Sequence, residues 1–215
     1  MTGRLVIVRE GHGEQGAIER LIARVAKSAG LIPSPIASIP ESIRHVVTGP
    51  ESALAAAEIA ARYSPNAVLI TADCDDMCPR DLAPQISAAL RQRSFPFPIA
   101  TVLFYREYET LAVSIADRLN GATLQSPGGT TIATLSLSAP MPNDPEAFRD
   151  AKGWIKKHLM GGQSYKPTTH QLPLTNQMSI DDLRTADLSS FRRLETAIRF
   201  LGSEMEHGTS NTYPA

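Results

Sequence analysis

AVLITADCDDMCP, residues 67–79, sets a short run of apolar and β-branched side chains (Ala67 to Thr71) directly ahead of Asp73, Asp75 and Asp76. A run of this length, with Pro65 before it and carboxylates after it, predicts a buried strand that ends at a polar edge. Upstream, Arg4 to Val8 has the same character. Glu10, Gly11 and Gly13 follow it, and then Ile18, Leu21, Ile22, Val25 and Ala29 recur at helical spacing, which predicts strand, tight turn and helix. Downstream, a helix from Pro79 to Gln92 opens on a residue whose missing N–H costs nothing in a first turn, and Phe97 to Tyr105 supplies a third strand. Strands alternating with helices predict an α/β fold: a mostly parallel central sheet covered by helices, with ligands bound beyond the carboxyl ends of its strands.

The rest of the chain extends this pattern. Leu31 to Ile39 is interrupted by proline and reads as an edge strand or an irregular crossover, and Ser52 to Arg62 as an alanine-rich helix. Helical spacing returns at Leu111, Ala112, Ile115 and Leu119. It returns again from Asp144-Pro145 through Phe148, Ala151, Ile155 and Leu159, and at Phe191, Leu194, Ile198 and Leu201, where Ser189 or Ser190 is the expected cap. Residues 161–182 lack a clear period and read equally as a loop over the site or a long connection. One domain over residues 1–207 is expected, with additional C-terminal helices and a polar, flexible tail over 208–215.

Composition narrows the function classes. At 215 residues, 42% hydrophobic and 20% charged, the chain has enough apolar surface to offset its ordering entropy. No apolar stretch approaches the roughly 18 to 20 residues of a membrane span, and the start, MTGRLVIVREGHGE, does not resemble a signal peptide, so a cytoplasmic protein is expected. Cys74 and Cys78 lack the second ligand pair of a zinc site and read as reduced thiols. A net charge of −1 gives no general attraction to nucleic acid, and leaves local patches drawn from Arg91, Arg93, Lys152, Lys156, Lys157, Arg192 and Arg193.

If the first strand and residues 67–71 are parallel neighbours, their ends lie about 5 Å apart and bring Glu10, Asp73 and Asp75 together. Three carboxylates repel one another without a cation, and hard oxygen donors suit Mg²⁺ or Mn²⁺. Gly11 and Gly13 set backbone N–H groups and a helix N-terminus beside Glu10, which suits a phosphate. Glu14 either joins the cluster or compensates a helix dipole; Asp76 either joins it or caps the helix at Pro79. His12 and His170 read as polar loop residues, and Trp154 and Tyr165 as packing residues rather than base-stacking platforms.

VIVREGHGE (Val6 to Glu14) and VLITADCDD (Val68 to Asp76) resemble the Glu-Gly and Asp-x-Asp motifs of the Toprim superfamily, named for topoisomerases and primases. With FYREYETLA (Phe104 to Ala112), DAKGWI (Asp150 to Ile155), SYKPTTHQLPL (Ser164 to Leu174) and SSFRRLETAI (Ser189 to Ile198), the chain is similar to a small standalone Toprim-like family of unknown function. The resemblance implies a Toprim-like fold, Glu10 as metal ligand or general acid–base, and Asp73 and Asp75 as Mg²⁺ ligands. It also implies an ATPase partner and a role in defence against phage. In that frame Glu109, close to Glu107, is a second-metal ligand; the alternative for both is favourable charge in a first helical turn. Lys152 and Lys166 would stabilise charge on a scissile phosphate, set against the ordinary reading of solvated surface lysines. The expectation is a metal-dependent nuclease acting on DNA or RNA; the rival is a non-catalytic or partner-gated scaffold subunit of an ATPase complex.

Overall fold

The computed structural model describes residues 4–9, 16–31, 36–38 (backbone only) and 49–214. Five strands form one sheet in the order β2-β1-β3-β4-β7, and every neighbouring pair is parallel. They are β1 (Leu5–Arg9), β2 (Ile36–Ser38), β3 (Ala67–Asp73), β4 (Ile99–Phe104) and β7 (Thr212–Tyr213). The expected adjacency of the first two long strands holds, with Arg9 in register with Thr71. Residues 31–39 contribute the edge strand β2.

Side-chain alternation along these strands builds two cores. Val6, Val8, Val68, Ile70 and Leu103 face α2 (Pro50–Ala61) and α3 (Pro79–Arg93). Ala53, Ala56, Ala57 and Ala60 are the buried face of α2, and side chains this small let its backbone lie close to the sheet. Leu5, Ile7, Leu69, Val102 and Phe104 face the opposite way, toward α1 (Ala17–Ser28) and α9 (Ser189–His207). Short helices α4 (Thr110–Val113) and α5 (Ala116–Leu119) and a two-stranded antiparallel ribbon of β5 (Thr123–Gln125) and β6 (Thr131–Thr134) follow β4. The fold is thus α/β with a parallel sheet covered on both faces. Among the described residues no helix is long and apolar enough to cross a membrane.

Four local expectations change. No helix opens at Asp144-Pro145: Asp144 closes one turn by accepting from the Ala147 N–H at 3.0 Å. The helix α6 begins at Ala151 and runs to Trp154, then widens into a π-helical turn over Ile155–Leu159. Asp150, at φ 62°, accepts from the Gly153 N–H at 2.8 Å, and a Cβ on Gly153 would overlap that carboxylate. Residues 161–182 are largely helical, as α7 (Pro167–Gln177) and α8 (Ile180–Ala186). Pro167 and Pro173 concealed α7 from a reading that treats proline as a breaker, yet the first sits where a helix tolerates it. Neither Ser189 nor Ser190 caps α9. Glu146 does so from outside, accepting from the backbone N–H groups of Ser189 at 3.0 Å and Ser190 at 2.8 Å. Finally, the tail does not fray throughout, because Thr212 and Tyr213 pair with Ile99 and Ala100 as β7.

Candidate functional site

Parallel strands deliver their carboxyl ends to one edge, and Asp73 is the last residue of β3, in register with Phe104 at the end of β4. The chain then turns through Arg106, at φ 68°, and presents Glu107 and Glu109 on either side of Tyr108. The Tyr108 N–H donates to Asp73 Oδ1 at 2.8 Å, which fixes this turn against the end of β3. Tyr108 is itself fully buried, and its hydroxyl lies 2.9 Å from Thr175 Oγ1 in α7.

Lys152, near the start of α6, points its ammonium into this turn. Nζ lies 2.8 Å from Glu107 Oε1, 3.4 Å from Glu109 Oε2 and 3.8 Å from Asp73 Oδ2. Its backbone N–H also donates to Glu107 Oε2, at 3.3 Å. Glu109 is 1% exposed. Its Oε1 accepts from the Tyr165 hydroxyl at 3.0 Å and from Gln171 Nε2 at 3.2 Å, whereas its Oε2 has no hydrogen bond among the described residues. Buried charge is costly unless paired, and here one half-buried ammonium serves three carboxylates.

The electrostatics follow from that arrangement. Burial pushes the Glu109 carboxyl above its ordinary range, and the neighbouring Lys152 charge only partly opposes this. Burial alone would lower Lys152, but Glu109, Asp73 and Glu107 outweigh it and hold the ammonium protonated well above the usual lysine value. Tyr165 is pushed up, first by burial and then by the Glu109 charge it faces, so its hydroxyl stays a donor.

Of the residues anticipated from the sequence, Asp73, Glu107, Glu109 and Lys152 are brought together. Glu10, Gly11, His12, Gly13 and Glu14 lie outside the described residues. Asp75 is exposed at φ 45°, and among the described residues its backbone rather than its carboxylate is engaged: its N–H donates to the Arg106 carbonyl at 3.1 Å and its carbonyl accepts from Arg106 Nη1 at 2.8 Å. Asp76 does not cap α3; it pairs with Arg106 at 2.7 Å and Arg149 at 2.6 Å. Lys166 is exposed, and its backbone N–H donates to Nδ1 of His170, which is buried in α7 rather than in a loop. Trp154 is buried packing.

Sequence reasoning missed the partners of Glu109. Tyr165 looked like packing and Gln171 like nothing at all, since neither stands at a recognisable spacing from the glutamates they hold. Carboxylate oxygens are suitable donors for a hard cation, and the orphaned Glu109 Oε2 is a buried acceptor with no hydrogen-bond donor. Among the described residues, however, no group of three His, Cys, Asp or Glu side chains stands ready to hold a metal ion. Lys152 Nζ is the cation the three carboxylates share, and a divalent ion would have to take its place. No protein-family model matches the chain, and no curated protein matches it.

Proposed function

We propose that the chain is a Mg²⁺- or Mn²⁺-dependent phosphodiester-cleaving enzyme of Toprim-like type, acting on DNA or RNA beside an ATPase partner in defence against phage. The observation that carries this reading is the gathering of Asp73, Glu107 and Glu109 at the carboxyl edge of a parallel sheet, where Lys152 answers their charge. Asp73 and Glu109, with Glu10 and Asp75 from the motif resemblance, are the residues that would hold the ion. A bound divalent ion supplies polarisation of the phosphate and a more acidic water. The chain's own contribution is positional. Tyr108 fixes Asp73, and Tyr165 and Gln171 fix one oxygen of Glu109 and leave the other directed at the cation. A Lys152 ammonium displaced from the carboxylates carries a positive charge suited to a phosphate oxygen.

The non-catalytic scaffold reading draws on the same lysine. An ammonium already seated among the carboxylates offsets part of their charge without a metal. The two readings separate in one experiment. Wild type and Glu10→Gln are assayed on plasmid, linear and single-stranded DNA and on RNA, with Mg²⁺ or Mn²⁺, alone and with a neighbouring ATPase. Metal-dependent cutting that drops at least a hundredfold in Glu10→Gln is expected, because the amide keeps the size of the side chain but loses its charge and basicity. Wild-type inactivity across the panel favours the scaffold, and equal cutting by the variant removes Glu10 from the site.

A further inference from the structure

Two arginines, one from α3 and one from α9, line the same groove. Arg80 is the second residue of α3 and Arg193 lies early in α9. Neither makes an ion pair or a side-chain hydrogen bond among the described residues, although most other arginines here do: Arg93 is paired with Glu58, Arg106 and Arg149 with Asp76, Arg184 with Glu195 and Arg192 with Asp187. Arg80 and Arg193 both line a cavity of about 250 Å³ that runs along the outer side of β4 to Tyr213 and Pro214. They also line a second cavity, of about 160 Å³, that reaches Tyr105 at the strand's carboxyl end. Shared walls at Pro79, Arg80, Leu103 and Arg193 make these one groove.

Its chemistry is one-sided. No aspartate or glutamate lines either cavity among the described residues. Glu146, which bonds Ser189 and Ser190 beside the groove, is committed to the N-terminus of α9. A cation in the first turn of a helix is unfavourable toward the macrodipole, and Arg80 accepts that placement. Thr101 lines the groove's apolar wall, and its buried hydroxyl lacks a hydrogen-bond partner among the described residues. The half-buried Tyr213 ring stands at the far end.

We propose that this groove binds the phosphoryl group of a nucleotide between Arg80 and Arg193, with the nucleoside against the apolar wall that ends at Tyr213. Guanidinium groups match phosphate oxygens in a planar, two-pronged geometry, and two guanidiniums lining one groove without acids select an anion. The nucleotide is either free or a unit of a nucleic-acid strand; the recognising chemistry is the same. This site shares no residue with the carboxylate cluster, so it stands or falls apart from the proposed cleavage.

The test uses the full chain in EDTA, which prevents metal-dependent cutting. AMP and a fluorescein-labelled single-stranded 12-mer are titrated by calorimetry and anisotropy. Arg80→Gln and Arg193→Gln are each expected to weaken binding about tenfold, the scale of one charged hydrogen-bonding group. Arg62→Gln, at an exposed arginine elsewhere, is expected to leave it unchanged. For the oligonucleotide, each groove variant should also lower the slope of log K against log salt by about 0.7, the loss of one phosphate contact. AMP binding that depends on both arginines identifies the free nucleotide. Arginine-dependent binding of the 12-mer alone identifies the strand. Absence of binding by wild type to both probes overturns the proposal, as does an unchanged affinity in the Arg80→Gln, Arg193→Gln double variant whose melting temperature matches wild type.

Discussion

Burial couples the protonation of Glu109 to the stability of the fold. Its carboxyl is raised above the ordinary range, so the folded chain holds that proton more tightly than the unfolded chain does. The resulting stability is fully present below the unfolded carboxyl value and is lost as pH rises through the raised folded value. Glu109→Gln fixes the neutral form and keeps an oxygen for Tyr165 and Gln171. Urea midpoints measured from acid to neutral pH should therefore fall less steeply in the variant, the difference between the proteins being at most about 1.4 kcal/mol per pH unit for one proton. Parallel pH profiles would show that Glu109 ionises without cost. Thr101 offers a second residue-scale test, because Thr101→Val removes a buried hydroxyl that has no partner and keeps the shape. The melting temperature should hold or rise, whereas a fall of several degrees would reveal a hydrogen bond to that oxygen.

At the scale of elements, α9 depends on a residue more than forty positions before it. Glu146 accepts both backbone N–H groups and the Ser189 hydroxyl, at 2.7 Å for the last. Glu146→Ala should destabilise the chain by about 2 kcal/mol, the upper range for losing an N-cap, read as a lower urea midpoint with an unchanged slope. Loss of under 0.5 kcal/mol would mean that Ser189 or Ser190 takes over. The strands and long helices were legible because period and length are local: Ala67–Asp73 is apolar or β-branched until it meets its aspartate, and α1 buries Ile18, Leu21, Ile22 and Val25 as the spacing requires. What connects them was not legible. The Glu146 cap rests on a contact between distant residues, the helix α7 behind Glu109 on tolerated prolines, and the Asp150 turn ahead of Lys152 on a non-glycine residue at positive φ. In the cluster, Asp73, Glu107, Glu109 and Lys152 were each named from the sequence, yet nothing in their spacing indicates that a lysine sits among the carboxylates.

Across the whole molecule, the sheet closes at one side with a strand of only two residues. Thr212 and Tyr213 cover Ile99 and Ala100, Tyr213 packs on Phe200 with ring centroids 5.7 Å apart, and Pro214 accepts from Arg91 at 3.2 Å. Removing residues 209–215 should bare the outer edge of β4, which invites pairing with other chains. A melting temperature several degrees lower and a concentration-dependent sedimentation coefficient are expected; an unchanged monomer would show that α9 alone guards that edge. The order in which the chain leaves a ribosome adds a different consequence for the carboxylates. Domains begin to form from their N-terminal side during synthesis, at about 5 to 20 residues per second. Asp73, Glu107 and Glu109 therefore emerge several seconds before Lys152, and before the Tyr165 and Gln171 that steady Glu109. Lys152 is thus the last charged member of its own cluster to arrive, and until it does the three carboxylates are screened by solvent and dissolved ions rather than by the ammonium that answers them in the folded chain.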